Sequence, residues 1–337
     1  MTLHILSTRQ LTPYQLGRLQ TTVPDAKIVH FWAKSDSEIE QALTPATEVL
    51  FTGRGDFSFA RATGLRWVQM ENAGIDHIHG TPLWHTSLPI ASANGAHLPH
   101  LPEYVLTMLL AWAHRLPELL ALQAQADWFP VKEIHHLWPR PVPGRTLGIV
   151  GYGAIGREIA RMAKALGMRI VATRRTGGSL RYEGYSPPGL GDPDGSLPDA
   201  YFTLDELPTL LRQSDYVVLG IPLFAQTHHL IGAAELAHMQ PHALLINIGR
   251  GGLIDQAALL AALQQQRIGG AVLDVTEPEP LPADHPLWRQ ENVLITPHLS
   301  GHSEHHFDNV VDLFAENLRR YLAGEPLLNL VERELGY

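Results

Sequence analysis

Three short segments carry side chains suited to holding anions and moving protons. They are Asn247-Ile248-Gly249-Arg250-Gly251, Asp274-Val275-Thr276-Glu277-Pro278-Glu279-Pro280 and Thr296-Pro297-His298. An arginine can grip a carboxylate through two parallel N–H···O bonds. A histidine can exchange a proton near neutral pH, and a carboxylate can orient an imidazole and favour its protonated form. Arg250, Glu279 and His298 therefore make a coherent set for acid–base chemistry on an anionic substrate. Each has a plainer reading: Arg250 as a structural ion-pair residue, Glu279 as an exposed loop acid, His298 as one of 19 histidines. His298 is set apart by its place after an apolar run and Thr-Pro.

Upstream, Gly151-Tyr152-Gly153-Ala154-Ile155-Gly156 matches G-x-G-x-x-G. Alone the match is weak, but here it closes the apolar run Leu147 to Val150 and opens an amphipathic helix, the context the motif requires. The first glycine turns the chain, the second lets backbone approach a pyrophosphate, and the third packs helix on strand. The helix N-terminus then faces the anion. This predicts dinucleotide binding, against the alternative of a merely structural turn. The next strand ends Ala172-Thr173-Arg174-Arg175-Thr176, without the acid that would accept from the ribose hydroxyls of NAD. Two guanidiniums can instead clasp a 2′-phosphate, so NADP is the expected cofactor and NAD the alternative. A solvated basic turn is the plain reading of the arginines.

These residues need a scaffold that brings strand ends together. The first ~95 residues alternate short apolar runs with capped helical stretches, a βα rhythm that predicts a parallel sheet. Strands are expected at Leu3 to Leu6, Lys27 to Phe31, Val49 to Thr52, Trp67 to Met70 and Ile90 to Ala93. Thr12-Pro13 reads as a helix N-cap followed by proline, and Ser35 to Leu43 as a second helix. A longer helix is expected from about Glu103 to Arg115, followed by an irregular aromatic stretch, Asp127 to Pro143, with Trp128, Phe129 and Trp138. The rhythm restarts with six strand candidates: Leu147 to Gly151, Met168 to Thr173, Tyr216 to Ile221, Ala243 to Ile248, Gly270 to Val275 and Val293 to Thr296. Helical patterns such as Ile155 to Leu166 and Gln256 to Gln265 lie between them. That order matches a doubly wound dinucleotide fold, whose ligands sit beyond the carboxyl ends of the strands. A last helix, about Glu304 to Ala323, ends at Gly324 and is expected to return to the first domain. Gly177 to Asp199, rich in Gly, Pro, Ser and Asp, reads as a long loop.

Composition bounds the rest. A chain of 337 residues suits two domains. A net charge of -9 argues against a nucleic-acid partner. Without cysteine there is no disulfide framework, thiolate nucleophile or sulfur metal site. No N-terminal stretch reads as a signal peptide, and apolar runs such as Tyr104 to Ala113 fall short of the ~20 residues of a membrane span. A cytoplasmic, soluble protein is expected.

Taken together, Gly148 to Gly156, Ser214 to Pro222, Asn247 to Asp255, Gly270 to Pro282 and Thr296 to Gly301 resemble the D-isomer-specific 2-hydroxyacid dehydrogenase family, especially its glyoxylate/hydroxypyruvate reductase-like members. The resemblance covers nearly the whole chain. It implies a Rossmann domain over residues 99–299 and a discontinuous, flavodoxin-like α/β substrate domain over 1–98 and 300–337. It implies hydride transfer between NADP(H) and a small 2-oxo or 2-hydroxy acid, with Arg250 binding substrate, His298 as acid/base and Glu279 as its partner. It would place the substrate carboxylate on backbone N–H groups around Ala73 and Gly74, and Asp274 near the nicotinamide carboxamide with Ile248 and Gly249 close by. Pro222 and Thr227 would line the cofactor cleft beside Gly151, Gly153, Ala154, Ile155, Gly156, Thr173, Arg174 and Arg175. The helix near 103–115 and the segment after it would form a homodimer arm. Formate dehydrogenases share the scaffold, but those resembling this chain carry glutamine at the position of Glu279. Two departures stand out: Arg174 replaces the usual acid, and Gly177 to Asp199 is longer than is usual there.

Two competing readings remain. Nucleotide-sensing corepressors on the same scaffold can keep the Arg, Glu and His. A metal site is suggested by His298, His302, His305 and His306, since His302 and His306 have helical i,i+4 spacing. That run lacks the glutamate of H-E-x-x-H, and no metal is expected.

Overall fold

The computed structural model describes residues 2–128, 130 and 133–334, so Phe129 of the aromatic stretch lies outside the described residues. The chain divides into two compact units, residues 1–97, 183–187 and 303–337 in one and residues 98–182 and 188–302 in the other. A short piece from inside the 177–199 stretch, Glu183–Pro187, belongs with the first unit.

The first unit opens with β1 (His4–Ser7), α1 (Pro13–Thr22), β2 (Lys27–His30), α2 (Asp36–Ala42), β3 (Val49–Thr52), β4 (Trp67–Met70) and β5 (Ile90–Ala91). All pairings in this sheet are parallel, and the order is β2-β1-β3-β4-β5. The helix starts follow from capping chemistry: Thr12 Oγ1 accepts from Gln15 N at 3.2 Å while Gln15 Oε1 accepts from Thr12 N at 3.0 Å. β3 and β4 are buried at every position, as expected of strands covered on both faces.

The second unit begins with α3 (His100–Ala113) and α4 (Leu116–Ala124). The expected single helix to Arg115 is broken there because Arg115 takes a left-handed conformation, φ 57°. Then follow β6 (Thr146–Val150), α5 (Ala154–Ala165), β7 (Arg169–Thr173), β8 (Ala200–Phe202), α6 (Leu207–Gln213), β9 (Tyr216–Leu219), α7 (Ala233–Leu236), β10 (Leu244–Asn247), α8 (Gln256–Gln264), β11 (Gly270–Leu273) and β12 (Val293–Ile295). The sheet is parallel with order β12-β11-β10-β9-β6-β7-β8. It has seven strands where the sequence predicts six. The extra strand, β8, is three half-buried residues at the sheet edge, too short to show a period, and its one strand partner is β7. The strand order reverses between β6 and β9, which places a ligand crevice beyond their carboxyl ends.

The chain then returns to the first unit through α9 (His306–Ala323). It docks on α1 through Gln15 Nε2 donating to Asp308 Oδ1 and Arg18 Nε to Asp312 Oδ1, both at 2.7 Å. The helix ends at Gly324, φ 69°. Among the described residues no single helix is long and apolar enough to cross a membrane.

Candidate active site

The glycine turn has the shape the motif predicts. Gly151 has φ 105°, and a Cβ there would lie 2.8 Å from the Gly220 carbonyl carbon, so only glycine makes this turn. Gly153, the N-cap of α5, faces open space. A Cβ on Gly156 would collide with Gly151 O, which is how helix and strand approach closely. No side chain caps α5, so the N–H groups of its first turn, which includes Ala154 and Ile155, are available to an anion. An open, glycine-cleared helix N-terminus at the switch point fits a dinucleotide pyrophosphate.

The neighbouring expected cofactor residues divide by what their polar atoms do. Thr173 is buried, and its Oγ1 accepts from Gly151 N at 2.9 Å, so it braces the turn from β7. Thr227 is fully buried, and its hydroxyl donates to Pro222 O at 2.8 Å, which fixes the loop carrying Pro222. Ile248 is buried at the end of β10, and Asn247 Oδ1 accepts from Gly249 N at 3.1 Å. Arg174 and Arg175 are exposed beyond β7. The Arg174 guanidinium lies 5.5 Å from the Tyr201 ring centroid, and Nη1 makes a long contact of 3.4 Å to Gly178 O.

The stretch 177–199 is not a loose loop. Asp192 is buried and accepts from Tyr152 Oη at 2.7 Å and from Ser196 N and Leu197 N at 3.0 Å each. Arg157, from the second turn of α5, donates to Leu180 O at 2.7 Å and to Asp192 O. The fully buried Glu158 accepts from Gly191 N at 2.6 Å. Burial opposes ionisation of Asp192, but the bonds from Leu197, Tyr152 and Ser196 outweigh it and hold its carboxyl below the usual range. Helix α5 thus clamps an arm whose far end becomes β8 and carries Tyr201.

The reacting residues sit on the loops after β10, β11 and β12. A Cβ at Gly251 would collide with Thr276 O, so that glycine lets the Arg250 loop press against the loop bearing Glu279. Asn247 Nδ2 donates to Arg250 O at 2.9 Å and holds that loop. His298 Nδ1 lies 2.6 Å from Glu279 Oε1, with both side chains a little over two-fifths exposed. The carboxylate can only accept, so Nδ1 donates, and Nε2 is the nitrogen left to exchange a proton.

What aims His298 is Asp274. Its buried carboxylate accepts from Thr296 Oγ1 at 2.6 Å and from Leu299 N and Ser300 N at 3.0 Å each, while its carbonyl accepts from His298 N at 2.8 Å. These bonds hold His298 in the left-handed region at φ 51°, a strained conformation that persists only where its surroundings enforce it. Tyr104, on α3, donates to Thr296 Oγ1 at 2.6 Å, and burial pushes its hydroxyl up to about 12. Sequence reasoning marked Asp274 and the Thr296-Pro297-His298 segment without this bonding role, and it gave no role to Tyr104, Asp192 or Tyr201.

With the glycine turn, the clustered strand-end loops and the His–Glu pair in place, the comparisons with known proteins agree. Residues 106–300 match the profile of the D-isomer specific 2-hydroxyacid dehydrogenase NAD-binding domain. The chain belongs to this family. It is therefore a nicotinamide-dinucleotide-dependent 2-hydroxyacid dehydrogenase. A glyoxylate reductase of Korarchaeum cryptofilum is 34% identical over 82% of this chain and 79% of that protein. An (S)-sulfolactate dehydrogenase of Chromohalobacter salexigens is 34% identical over 78% of this chain and 79% of its own length. A D-isomer specific 2-hydroxyacid dehydrogenase from Xanthobacter autotrophicus, solved with NADPH and MES, superposes with a TM-score of 0.78 at 28% identity, covering 100% of this chain and 99% of that one.

Proposed function

We propose that this enzyme reduces a small 2-oxo acid of the glyoxylate or hydroxypyruvate type to the D-2-hydroxy acid, with NADPH as the preferred donor. The observation that carries the reading is the 2.6 Å His298–Glu279 pair at the carboxyl end of the sheet. Arg250, with the N–H groups of Ala73 and Gly74, receives the substrate carboxylate. Reduced nicotinamide dinucleotide supplies the hydride. His298 Nε2 gives its proton to the carbonyl oxygen, and Glu279 stabilises the imidazolium and fixes its ring. Asp274 holds the His298 loop in register. Arg174 and Arg175, in place of the ribose-binding acid, favour the 2′-phosphate of NADP, and the NADPH of the Xanthobacter structure supports that choice.

In this reading residues 99–299 bind the dinucleotide and residues 1–98 and 300–337 the substrate. A homodimer completes the proposal. Helix α4 has no buried residue, and Leu116, Leu119 and Leu120 are exposed, apolar side chains that a second copy would cover.

The deciding experiment is a screen of 2-oxo acids with NADPH and NADH, run on the unaltered enzyme and on His298→Ala. Loss of an acid–base group typically costs ~100- to 10,000-fold in turnover. Cofactor affinity in the variant should stay near that of the unaltered protein. Equal losses in both would assign His298 a structural role.

A further inference from the structure

Apart from the reacting residues, the second unit gathers a cluster of side chains that ligate metals. His228 and His229, from the loop after β9, meet Glu277, from the loop after β11. Glu277 Oε2 lies 3.5 Å from His229 Nε2 and 3.9 Å from His228 Nε2. One ligand atom from each of the three residues lies within 4.8 Å of the others. All three side chains are about half exposed, so the cluster is open to ions from solvent. It shares no residue with His298, His302, His305 and His306, and two adjacent histidines lack the i,i+4 spacing that marks helical zinc ligands in a sequence.

The backbone makes this arrangement. Adjacent side chains ordinarily point apart, to opposite faces of a strand or to different faces of a helix. His229 instead takes the left-handed region at φ 52°, and its ring stacks on that of His228 with centroids 3.9 Å apart and planes 24° from parallel. Bonds along the loop hold the turn: His228 N donates to Phe224 O at 3.0 Å, His229 N to Gly252 O at 2.7 Å and Leu230 N to Thr227 O at 3.1 Å. Such a conformation persists only where its surroundings enforce it. Glu277 is placed by its own N–H, which donates to Gln256 Oε1 at 3.2 Å. Gly252, after β10, lies between the ligands: a Cβ there would come 3.3 Å from Glu277 Oε1 and 3.4 Å from His228 Cδ2. Three strand-end loops therefore build the cluster.

Two imidazole nitrogens and a carboxylate oxygen suit zinc and its borderline neighbours, whereas calcium and magnesium favour shells of oxygen. Ligands about 2 Å from a tetrahedral zinc stand about 3.3 Å from one another. The observed 3.5 Å and 3.9 Å need only a small rotation of exposed side chains to reach that spacing. Three protein ligands leave a fourth position for water, and without cysteine no thiolate competes for the ion. We propose that His228, His229 and Glu277 bind one divalent transition-metal ion of the zinc class per chain. The ion ties the loop that carries Pro222 and Thr227 to the loop that carries Glu279, and so stiffens the strand-end loops.

The test titrates zinc chloride into chelator-treated protein by calorimetry, with His228→Gln, His229→Asn and Glu277→Gln as variants. Asparagine tolerates the left-handed backbone at position 229. Each variant should bind one zinc fewer per chain, or bind it at least about tenfold more weakly. Zinc should raise the melting temperature of the unaltered protein, and each variant should lose most of that rise. Melts without metal report whether the variants fold. Cobalt(II) gives an independent readout, since its visible ligand-field bands in the unaltered protein should be missing from all three variants. Zinc binding that any one of the variants leaves unchanged would overturn the three-ligand site. Binding that requires millimolar zinc would be adventitious and would overturn it too, leaving a surface ion pair. Neither result touches the reductase reading, which His298→Ala judges separately.

Discussion

The guanidinium of Arg174 lies 5.5 Å from the centre of the Tyr201 ring, although the two residues come from different strands with the 177–199 arm between them. The Tyr201 hydroxyl donates to Gly195 O at 2.8 Å, and its ring meets Tyr152 edge-on with centroids 5.6 Å apart. Tyr201 is therefore held from two sides, and it presents a fixed face to the arginine expected to read a 2′-phosphate. A cation over an exposed aromatic face gains ~0.5–1 kcal/mol. Tyr201→Leu should lower the NADPH-over-NADH ratio of kcat/KM by about two- to fivefold, since about 1.4 kcal/mol is tenfold. Tyr201→Phe keeps the ring and should retain the preference. A parallel fall with both cofactors would mean that Tyr201 merely supports the fold.

Arg174 itself gives the larger effect. It stands where an acid would accept from the ribose, and a guanidinium cannot accept. Charge-assisted bonds to a phosphate are worth ~1.5–3 kcal/mol, reduced at an exposed site toward the ~0–1 kcal/mol of surface ion pairs. Two such contacts support an NADPH preference of about tenfold. Arg174→Asp should reverse the order, and raising the salt concentration should shrink the preference of the unaltered enzyme. An unaltered enzyme that uses both cofactors equally would show that these arginines face only solvent.

Much of this site is legible in the residues because local chemistry dictates it. The left-handed turn at Gly151 and the tight contact at Gly156 leave no choice of side chain, and Thr12 with Gln15 announces the start of α1. β3 and β4 run over the residues their apolar patterns predict. What was not legible depends on partners far apart in sequence. Asp274 reads as a strand-end acid, yet its donors come from Thr296, Leu299 and Ser300. Asp192 looks like one more polar residue of a loop until Tyr152 and Arg157 are seen to close on it. β8 has too few residues to show a period, so the seventh strand emerges only from its pairing with β7.

Arg250 tests substrate recognition. If its planar fork grips a carboxylate, lysine can supply the charge but not two parallel bonds. Arg250→Lys should raise KM for the 2-oxo acid and lower kcat/KM by roughly one to two orders of magnitude, at ~1.5–3 kcal/mol for a charged hydrogen bond. The KM for NADPH should stay within about twofold, a change worth far less than the ~1.4 kcal/mol of a tenfold effect. Unchanged steady-state kinetics would remove Arg250 from the substrate site.

The proposed homodimer is tested at the exposed leucines of α4. Leu119 and Leu120 are 41% and 53% exposed, and Trp128 is 97% exposed. A face of this kind is costly to leave in water. Light scattering should give the mass of two chains for the unaltered protein and of one chain for Leu119→Glu/Leu120→Glu. A monomer in both would leave α4 without a partner.

Asp192 ties the arm to helix α5, and its titration should be visible in stability. Its folded pKa is depressed, so the unfolded chain binds its proton more readily and folding favours the ionised form. The contribution is then fully present above the unfolded value, near ~3.9, and is lost as pH falls through the lower folded value. Asp192→Asn keeps the shape and removes the charge. It should destabilise the protein by about 1–3 kcal/mol at neutral pH, the usual range for a buried charge-assisted bond. Urea unfolding of both proteins from pH 7 downward should show a constant gap to about pH 5 that narrows below the unfolded value. The NADPH-over-NADH ratio should fall in Asp192→Asn as well, because the arm that seats Tyr201 loosens. A gap that widens on acidification would reverse the sign of the shift. An unchanged cofactor ratio would uncouple the arm from Arg174.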